Sequence, residues 1–476
     1  MVFHKASLVK GGIDEGIIHL DIDNLDLNNP EEMKTLFRRL LSVIEVQAQI
    51  IKELREENQL LRDEIAYLKG EKGKPKIPPN IPESPDTPAG DKPKKWKKGF
   101  RKPRIKADRL EYRYIDKSIL PADAVKHGFR RVVKQDIKLK TDNVEYLLEQ
   151  YYSPSMKKIY EAELPEDIKH SAYGSTLKAF IISLHYAGRV TQNKIQKILE
   201  DIGIIISEGT IANILTEERQ DEFTAEKAAI FNTGIEKATY LQIDDTGARH
   251  MGKNHNLHVV CNDKFSSFFI LNSRNKPAVR SIFGLGDNEQ IDKPLISDAA
   301  QQFVTISPNQ GLCWIHEIRH YKKLTPILDH HKLVLSKFIN QLWQFYDLLN
   351  RFKEKPDIGL KIYVEWLFDS LFSQDTGYTM LDETIAATRK RKQRLLKVLD
   401  FPMIPIHNNA AEIALREGVI KRKISYGTRS EAGRFAWENM LSILDTCRKL
   451  NISFFKYIRD ILSNRYSMPR LHQLIT

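Results

Sequence analysis

Seven prolines fall between residues 71 and 100, and no packed core can form across such a stretch. Proline fixes φ and removes a backbone donor, so the segment reads as a stiff, extended linker. The 476-residue chain is therefore divided before anything else is read. Residues 1–30 carry no usable pattern. On residues 31–70 a heptad runs from Met33 to Leu68, with Phe37, Ile44, Ile51, Asn58 and Ile65 at a and Leu40, Gln47, Leu54, Leu61 and Leu68 at d. Aliphatic a positions with leucine at d favour a parallel two-stranded coil, and a lone Asn at a fixes its register. A homodimer is expected through Ile44, Ile51, Leu54, Asn58, Leu61, Ile65 and Leu68.

The linker, residues 71–106, ends in a basic run that includes Lys94, Lys95, Lys97, Lys98 and Arg101, with Trp96 and Phe100 interleaved. Such a segment can neutralise phosphates and stack on bases. Across the whole chain, 74 Lys+Arg stand against 62 Asp+Glu, a formal +12, which makes a polyanion such as double-stranded DNA the expected partner. Three cysteines, Cys261, Cys313 and Cys447, exclude a disulfide scaffold and a self-contained zinc ribbon. The N-terminus lacks the apolar stretch of a signal peptide, and no apolar run reaches the roughly 18–20 residues that span a bilayer. A cytoplasmic protein with no membrane partner is expected.

Residues 107–165 alternate like short strands (EYRYI, RRVVKQDIKL, VEYLLEQYY), which predicts a small β-rich module. Helical periodicity dominates 166–220. Val190–Leu215 reads as helix, glycine-containing turn and second helix, with Ile195, Ile198, Leu199, Ile211 and Leu215 inward and Ser207 as N-cap. This helix-turn-helix pattern would place Glu208, Thr210 and Asn213 outward, toward a DNA groove.

The residues suited to chemistry lie C-terminal to that pattern. Asp244 ends the apolar word LQI and Asp298 ends LIS, and strand-end residues of a parallel or mixed sheet share one crevice. Glu412 lies in HNNAAEIALREGV, where Asn408 or Asn409 can cap a helix. Three such carboxylates suit two Mg²⁺ ions, which are hard cations wanting oxygen ligands, and a pair of ions can clamp both oxygens of a phosphoryl displacement. Mn²⁺ is expected to substitute. Alternation places Asp244 opposite the apolar side of its strand but leaves Asp245 open.

The words YLQIDDTGAR, LISDAAQQF, GLCWIHEIRHYKKL and HNNAAEIALREGVIKRKISYGTRSEAGRFAWENMLSILDTCRKL resemble, in this order, those of the insertion sequence 66 family of transposases. The likeness extends over the zipper, the linker and the helix-turn-helix. It implies an α/β ribonuclease-H-like catalytic core with an α-helical insertion, preceded by a coiled coil and a helix-turn-helix domain. It also implies a DDE triad on Asp244, Asp298 and Glu412. Asp245 stands where the family usually has Glu, and His407 where many members have Asp. The cysteine-bearing zinc module of many members is missing, so zinc is not expected.

Cys313, His316 and Arg319 form a Cys-x-x-His-x-x-Arg word, too few ligands for structural zinc. His316, Arg319 and Asn409 are expected beside the carboxylates, with His316 and Arg319 near the scissile phosphate. The core would run over 236–324 and 401–476, interrupted by a helical insertion at 325–400. Within the insertion, Asp382-Glu383-Thr384 mimics the first motif but sits on a helix. Arg416, Lys421 and Lys423 would line a DNA path. The expected function is metal-dependent cleavage and strand transfer of insertion-element ends, in a nucleoid-associated prokaryotic protein working on terminal inverted repeats and target DNA, with accessory proteins from the same element. The rival readings are a DNA-binding regulator with an inactive core and a metal-dependent nuclease that does not join strands.

Overall fold

The computed structural model describes residues 30–68, most of 109–164, Lys169 and all of 172–476. Lys94, Lys95, Lys97, Lys98 and Arg101 lie outside the described residues, as do the side chains of Ile65 and Leu68. Two compact units divide the chain: Leu61–Asn143, and residues up to Leu60 together with Val144–Thr476.

In the smaller unit Lys117–Ile119 makes a single 3₁₀ turn, and the rings of Tyr112 and Phe129 meet edge to face at 5.3 Å. The strands expected over Glu111–Ile115 and residues 130–139 are not present among the described residues. In the larger unit, β1 (Gln150–Ser153) and β2 (Lys158–Glu161) form an antiparallel hairpin. Both its faces stay largely exposed. Alternation without an apolar face to bury has little to hold a larger sheet together.

Helix α1 spans Pro30–Leu68. Its described heptad positions are open: Ile44, Ile51, Leu54 and Leu61 are each about half exposed. The opposite side of the helix docks instead. Glu45, 2% exposed, accepts the N–H groups of Ile327 and Leu328 at 3.0 and 3.1 Å, and its other oxygen lies 2.6 Å from His331 Nδ1. A buried carboxylate thus takes up donors at the start of a later helix, where such N–H groups have no partner of their own.

Helices α2 (Ser175–Tyr186), α3 (Gln192–Asp201), α4 (Glu208–Thr216) and α5 (Gln220–Lys237) follow. Ser207 caps α4, accepting the Thr210 N–H at 3.1 Å. Ile195, Leu199, Ile211 and Leu215 are buried as expected, but Ile198 is 40% exposed; it sits at the edge of a narrow apolar stripe whose centre the other side chains occupy.

The sheet then forms from β3 (Leu241–His250), β4 (Lys253–Cys261), β5 (Ser266–Leu271), β6 (Leu295–Ser297) and β7 (Gln310–Leu312), with α6 (Lys276–Ile282) between β5 and β6. Its order is β5-β4-β3-β6-β7. The first three strands are antiparallel; β6 and β7 join parallel to β3. A two-residue turn links β3 to β4, with positive φ at both Met251 (49°) and Gly252 (74°), the geometry that matches strand twist in tight hairpins.

Beyond the sheet lie α7 (Trp314–Lys323), α8 (Asp329–Glu354), α9 (Ile358–Leu371), α10 (Thr379–Lys390), α11 (Lys392–Leu395), α12 (Asn409–Ser425), α13 (Glu431–Lys449), α14 (Phe454–Leu462) and α15 (Leu471–Leu474). Helix α13 covers the edge strand β5. Thr446 Oγ1, Ser442 Oγ and Glu438 Oε1 accept the N–H groups of Ser266, Phe268 and Ile270, which closes a row of donors that would otherwise invite another strand. Helices α7–α11 pack Trp314, Phe345, Phe368 and Phe372 into a core of their own, against Ile296 and Leu312 of β6 and β7. Among the described residues no helix is long and apolar enough to cross a membrane.

Candidate active site

The parallel ladder between β3 and β6 pairs Leu241 with Leu295 and Gln242 with Ile296. Continuing that register by two residues sets Asp244 opposite Asp298, both just beyond the last pair. β3 itself does not end at Asp244, as the apolar word suggested; it runs on to His250 because β4 remains its partner throughout. What ends there is the parallel pairing, and this opens the crevice.

Asp245 points the other way along the pleat and accepts a hydrogen bond from Gln302 Nε2 at 2.9 Å. Asp298 accepts the Ala300 N–H at 3.0 Å, and Asp244 accepts the Asp245 N–H at 2.8 Å. The Asp244 carboxyl is pushed up to about 7, chiefly by burial and then by the charges of Asp298, Asp245 and Glu412, against the lowering effect of that hydrogen bond. Asp244 thus feels the charge of both other expected carboxylates, although the three do not form a group whose carboxylate oxygens all lie within 4.8 Å of one another among the described residues.

Glu412 is in the first turn of α12, which lies across β3 and β4. The approach is close: a Cβ on Gly418 would run into Leu257 Cδ2, so glycine lets α12 sit this low. Asn408, fully buried, stitches the joint. Its side-chain amide donates to Ile243 O at 2.9 Å, and its backbone N–H reaches Cys313 Sγ at 3.2 Å. Asn408 occupies the cap position of α12 without a side-chain cap bond; the sheet claims its amide. Asn409 is exposed on the same turn. Gln242 Nε2 donates to His407 O at 2.8 Å, a second tie between β3 and this segment.

Glu412 faces α7 as well as the aspartates. Arg319 Nη2 and Nη1 reach its two oxygens at 3.2 and 3.4 Å, and His316 Nδ1 lies 3.7 Å away. The neighbouring carboxylate Glu317 is buried and engaged by Thr388 and Arg391, and Asp382 accepts from Thr376 in its own helix start. Neither is available to the centre.

A cleft of about 660 Å³ opens between α3–α4 and α12–α13 and is lined by Glu208, Lys421, Arg189 and Arg429 among others. Lys421 Nζ lies 3.3 Å from His185 Nε2, and His185 Nδ1 donates to Val190 O at 3.0 Å. Burial brings the Lys421 ammonium down to about 8; burial, then the Lys421 charge, takes His185 down to about 4. Arg416, Lys423 and Asn213 are exposed, and Thr210 is half-buried with its hydroxyl on Ser207. Sequence reasoning missed Gln242 and His185, and took Asn408 only as a possible helix cap. Only the Asn408-Asn409 doublet left a trace in the pattern.

A mixed sheet with two aspartates at one register position, beneath a helix that carries a glutamate, makes this an α/β protein. Residues 170–435 match the family model described as "Transposase IS66 family", and the chain belongs to that family. It is also similar to "Uncharacterized protein y4jO" of Sinorhizobium fredii (strain NBRC 101917 / NGR234), 42% identical over 171 residues, which are 36% of this chain and 53% of that protein. The chain thus spans about half the length of that curated relative.

Proposed function

We propose that the chain is a DDE-type transposase that cleaves insertion-element ends and joins them to target DNA. The observation that carries this is the shared register position of Asp244 and Asp298 beneath the Glu412 helix, in a chain of a transposase family. The strand order supports a ribonuclease-H-like core, and the α7–α11 block an insertion within it. Asp244, Asp298 and Glu412 would hold two Mg²⁺ ions, or Mn²⁺ in their place. The donor set fits: all three are carboxylates, and part of what raises Asp244 is the charge of the other two, which dications relieve. When bound, such ions supply Lewis-acid stabilisation of charge on the attacking and leaving oxygens.

The rest of the chain grips DNA. The basic run at residues 94–101 supplies affinity without sequence preference, and α3–α4 serve as a helix-turn-helix whose exposed Glu208 and Asn213 face the duplex, with Thr210 at the helix start. Lys421, Arg416 and Lys423 hold backbone phosphates. The open seam of α1, with its opposite side already docked through Glu45, supports a parallel zipper dimer. Partners are the element's terminal inverted repeats, target DNA and accessory proteins of the same element, in the prokaryotic nucleoid. A strand-transfer assay with labelled element ends and Mg²⁺ tests the reading. Joined product is expected; hydrolysis alone would favour a nuclease, and binding alone a regulator.

A further inference from the structure

The Cys-x-x-His word offers two soft-to-borderline ligands, and the fold brings a third from 96 residues further on, counted from His316 to Glu412 (412 − 316). Donor atoms of Cys313, His316 and Glu412 all lie within 4.8 Å of one another, the only such group among the described residues. We propose that these three side chains bind a zinc-class dication, and that a cation held there draws Glu412 away from Asp244 and Asp298. The site itself stands on this geometry; its inhibitory consequence rests on the transposase reading.

The architecture favours capture. Cys313 is the residue before the first turn of α7, and His316 follows three residues later on the same face. Glu412 comes from the first turn of a second helix. His316 Nδ1 is buried and has no hydrogen-bond partner, while its Nε2 sits 3.2 Å from Arg319 Nη1. The unengaged nitrogen is the one on the Glu412 side. Around a tetrahedral zinc the donors stand roughly 3.3–3.8 Å apart. The pair His316 Nδ1 and Glu412 Oε1 is already at 3.7 Å.

On binding, the Cys313 thiol loses its proton to solvent as the sulfur takes the cation. The Asn408 N–H remains as an outer hydrogen bond to that sulfur. Arg319, about half exposed at its side chain, is pushed off Glu412 and off His316 Nε2 by the added charge and has solvent to move into; the His316 ring proton then passes from Nδ1 to the freed Nε2 through solvent, which opens Nδ1 to the cation. A solvent molecule or an open position completes four-coordination. Thiolate and imidazole select zinc-class ions over Mg²⁺, so the two kinds of site share one carboxylate but not one preference.

The test uses the full chain and Cd²⁺ as the probe, followed by thiolate-to-metal absorption in the ultraviolet. One equivalent is expected to give the band. Cys313→Ser should abolish it, and His316→Gln should weaken binding by at least about tenfold, the least that losing even an outer partner costs. The buried Cys261 and Cys447 remain in both variants as internal controls. In Mg²⁺-supported end cleavage, Zn²⁺ should inhibit the wild type, and the inhibitory concentration should rise at least about tenfold in Cys313→Ser. No band in the wild type, or an unchanged band or unchanged inhibition in a Cys313→Ser protein that melts like the wild type, overturns the proposal. Should Cys313→Ser fail to fold, His316→Gln decides by the Cd²⁺ band alone: an unchanged Cd²⁺ affinity overturns the proposal. If Mg²⁺ supports no cleavage at all, the transposase reading fails while the Cd²⁺ band still decides the site.

Discussion

Arg319 holds both carboxylate oxygens of Glu412, with Nη2 at 3.2 Å from one and Nη1 at 3.4 Å from the other. A carboxylate proposed to ligate Mg²⁺ is therefore already engaged by a cation, and the two must compete. The pair is only partly buried, so its strength is the modest ~0.2–1 kcal/mol of such contacts. Arg319→Ala should accordingly tighten Mn²⁺ binding, read by calorimetry, by up to about fivefold. Looser binding would show that Arg319 supports the metal-ready geometry rather than opposing it.

The triad makes the sharpest contrast. Asp244→Asn, Asp298→Asn and Glu412→Gln keep shape but lose the charge that holds dications. Each should lower cleavage by at least about 10²-fold, since ion-mediated charge stabilisation is several kcal/mol. End binding, followed by gel shift, should persist. Asp245→Asn should be far milder, because Asp245 faces Gln302. Equal losses for Asp244 and Asp245 would place the wrong residue at the centre.

How much of this was legible depends on the range of the interaction. Alternation within one strand placed Asp244 opposite the apolar side but left Asp245 open, and the family resemblance chose between them; the cap at Ser207 is local chemistry. Glu412 needed the family resemblance, because nothing in spacing says that α12 crosses β3. Asn408 looked like a cap and proved to be a stitch, since its partner carbonyl, Ile243 O, lies 165 residues away in sequence. Among the described residues of 109–149 no strand forms, for the converse reason: alternation is present, but no apolar face is buried there to hold a sheet. Glu45 lies outside the a and d positions of the heptad, and only the fold shows it buried against His331.

The zipper can be tested in the full chain. Charges on the open seam, as in Ile51→Asp with Leu54→Asp, should shift sedimentation from dimer toward monomer and leave the melting of the core unchanged, since both positions are exposed in one copy. Asn58→Ile should instead broaden the oligomer distribution, because a lone polar a position specifies two strands. A wild-type chain that sediments as a monomer at micromolar concentration defeats the dimer.

DNA binding should divide by residue. Neutralising Lys94, Lys95, Lys97 and Lys98 should weaken binding to all sequences and reduce the slope of log affinity against log salt by up to about 3.6, at about 0.9 per phosphate contact. Asn213→Ala, on the exposed face of α4, should narrow the gap between element ends and random duplex by roughly 1–3 kcal/mol if it reads a base. Identical effects on both kinds of DNA would refute the division of labour.

Lys421 gives the DNA grip a pH signature with a definite sign. Burial lowers its ammonium to about 8, against about 10.4 for a free lysine. The groups around it are the neutral His185 ring on α2, Arg189, whose Nε donates to Glu417 at 2.9 Å, and Glu208 and Arg429 across the cleft; none is a carboxylate bonded to Lys421. Between about pH 8 and 10 the unfolded chain holds this proton and the folded one does not, so Lys421 makes stability rise with pH there. A DNA phosphate at Lys421 favours the charged form, so binding should take up a proton in the same window and affinity should fall as pH rises. Lys421→Met should remove both trends, in thermal melts and in binding titrations run in buffers of different ionisation enthalpy. Other lysines and tyrosines also titrate there, so the difference between the two proteins is the quantity to measure. If affinity falls with pH equally in Lys421→Met, the phosphate lies elsewhere.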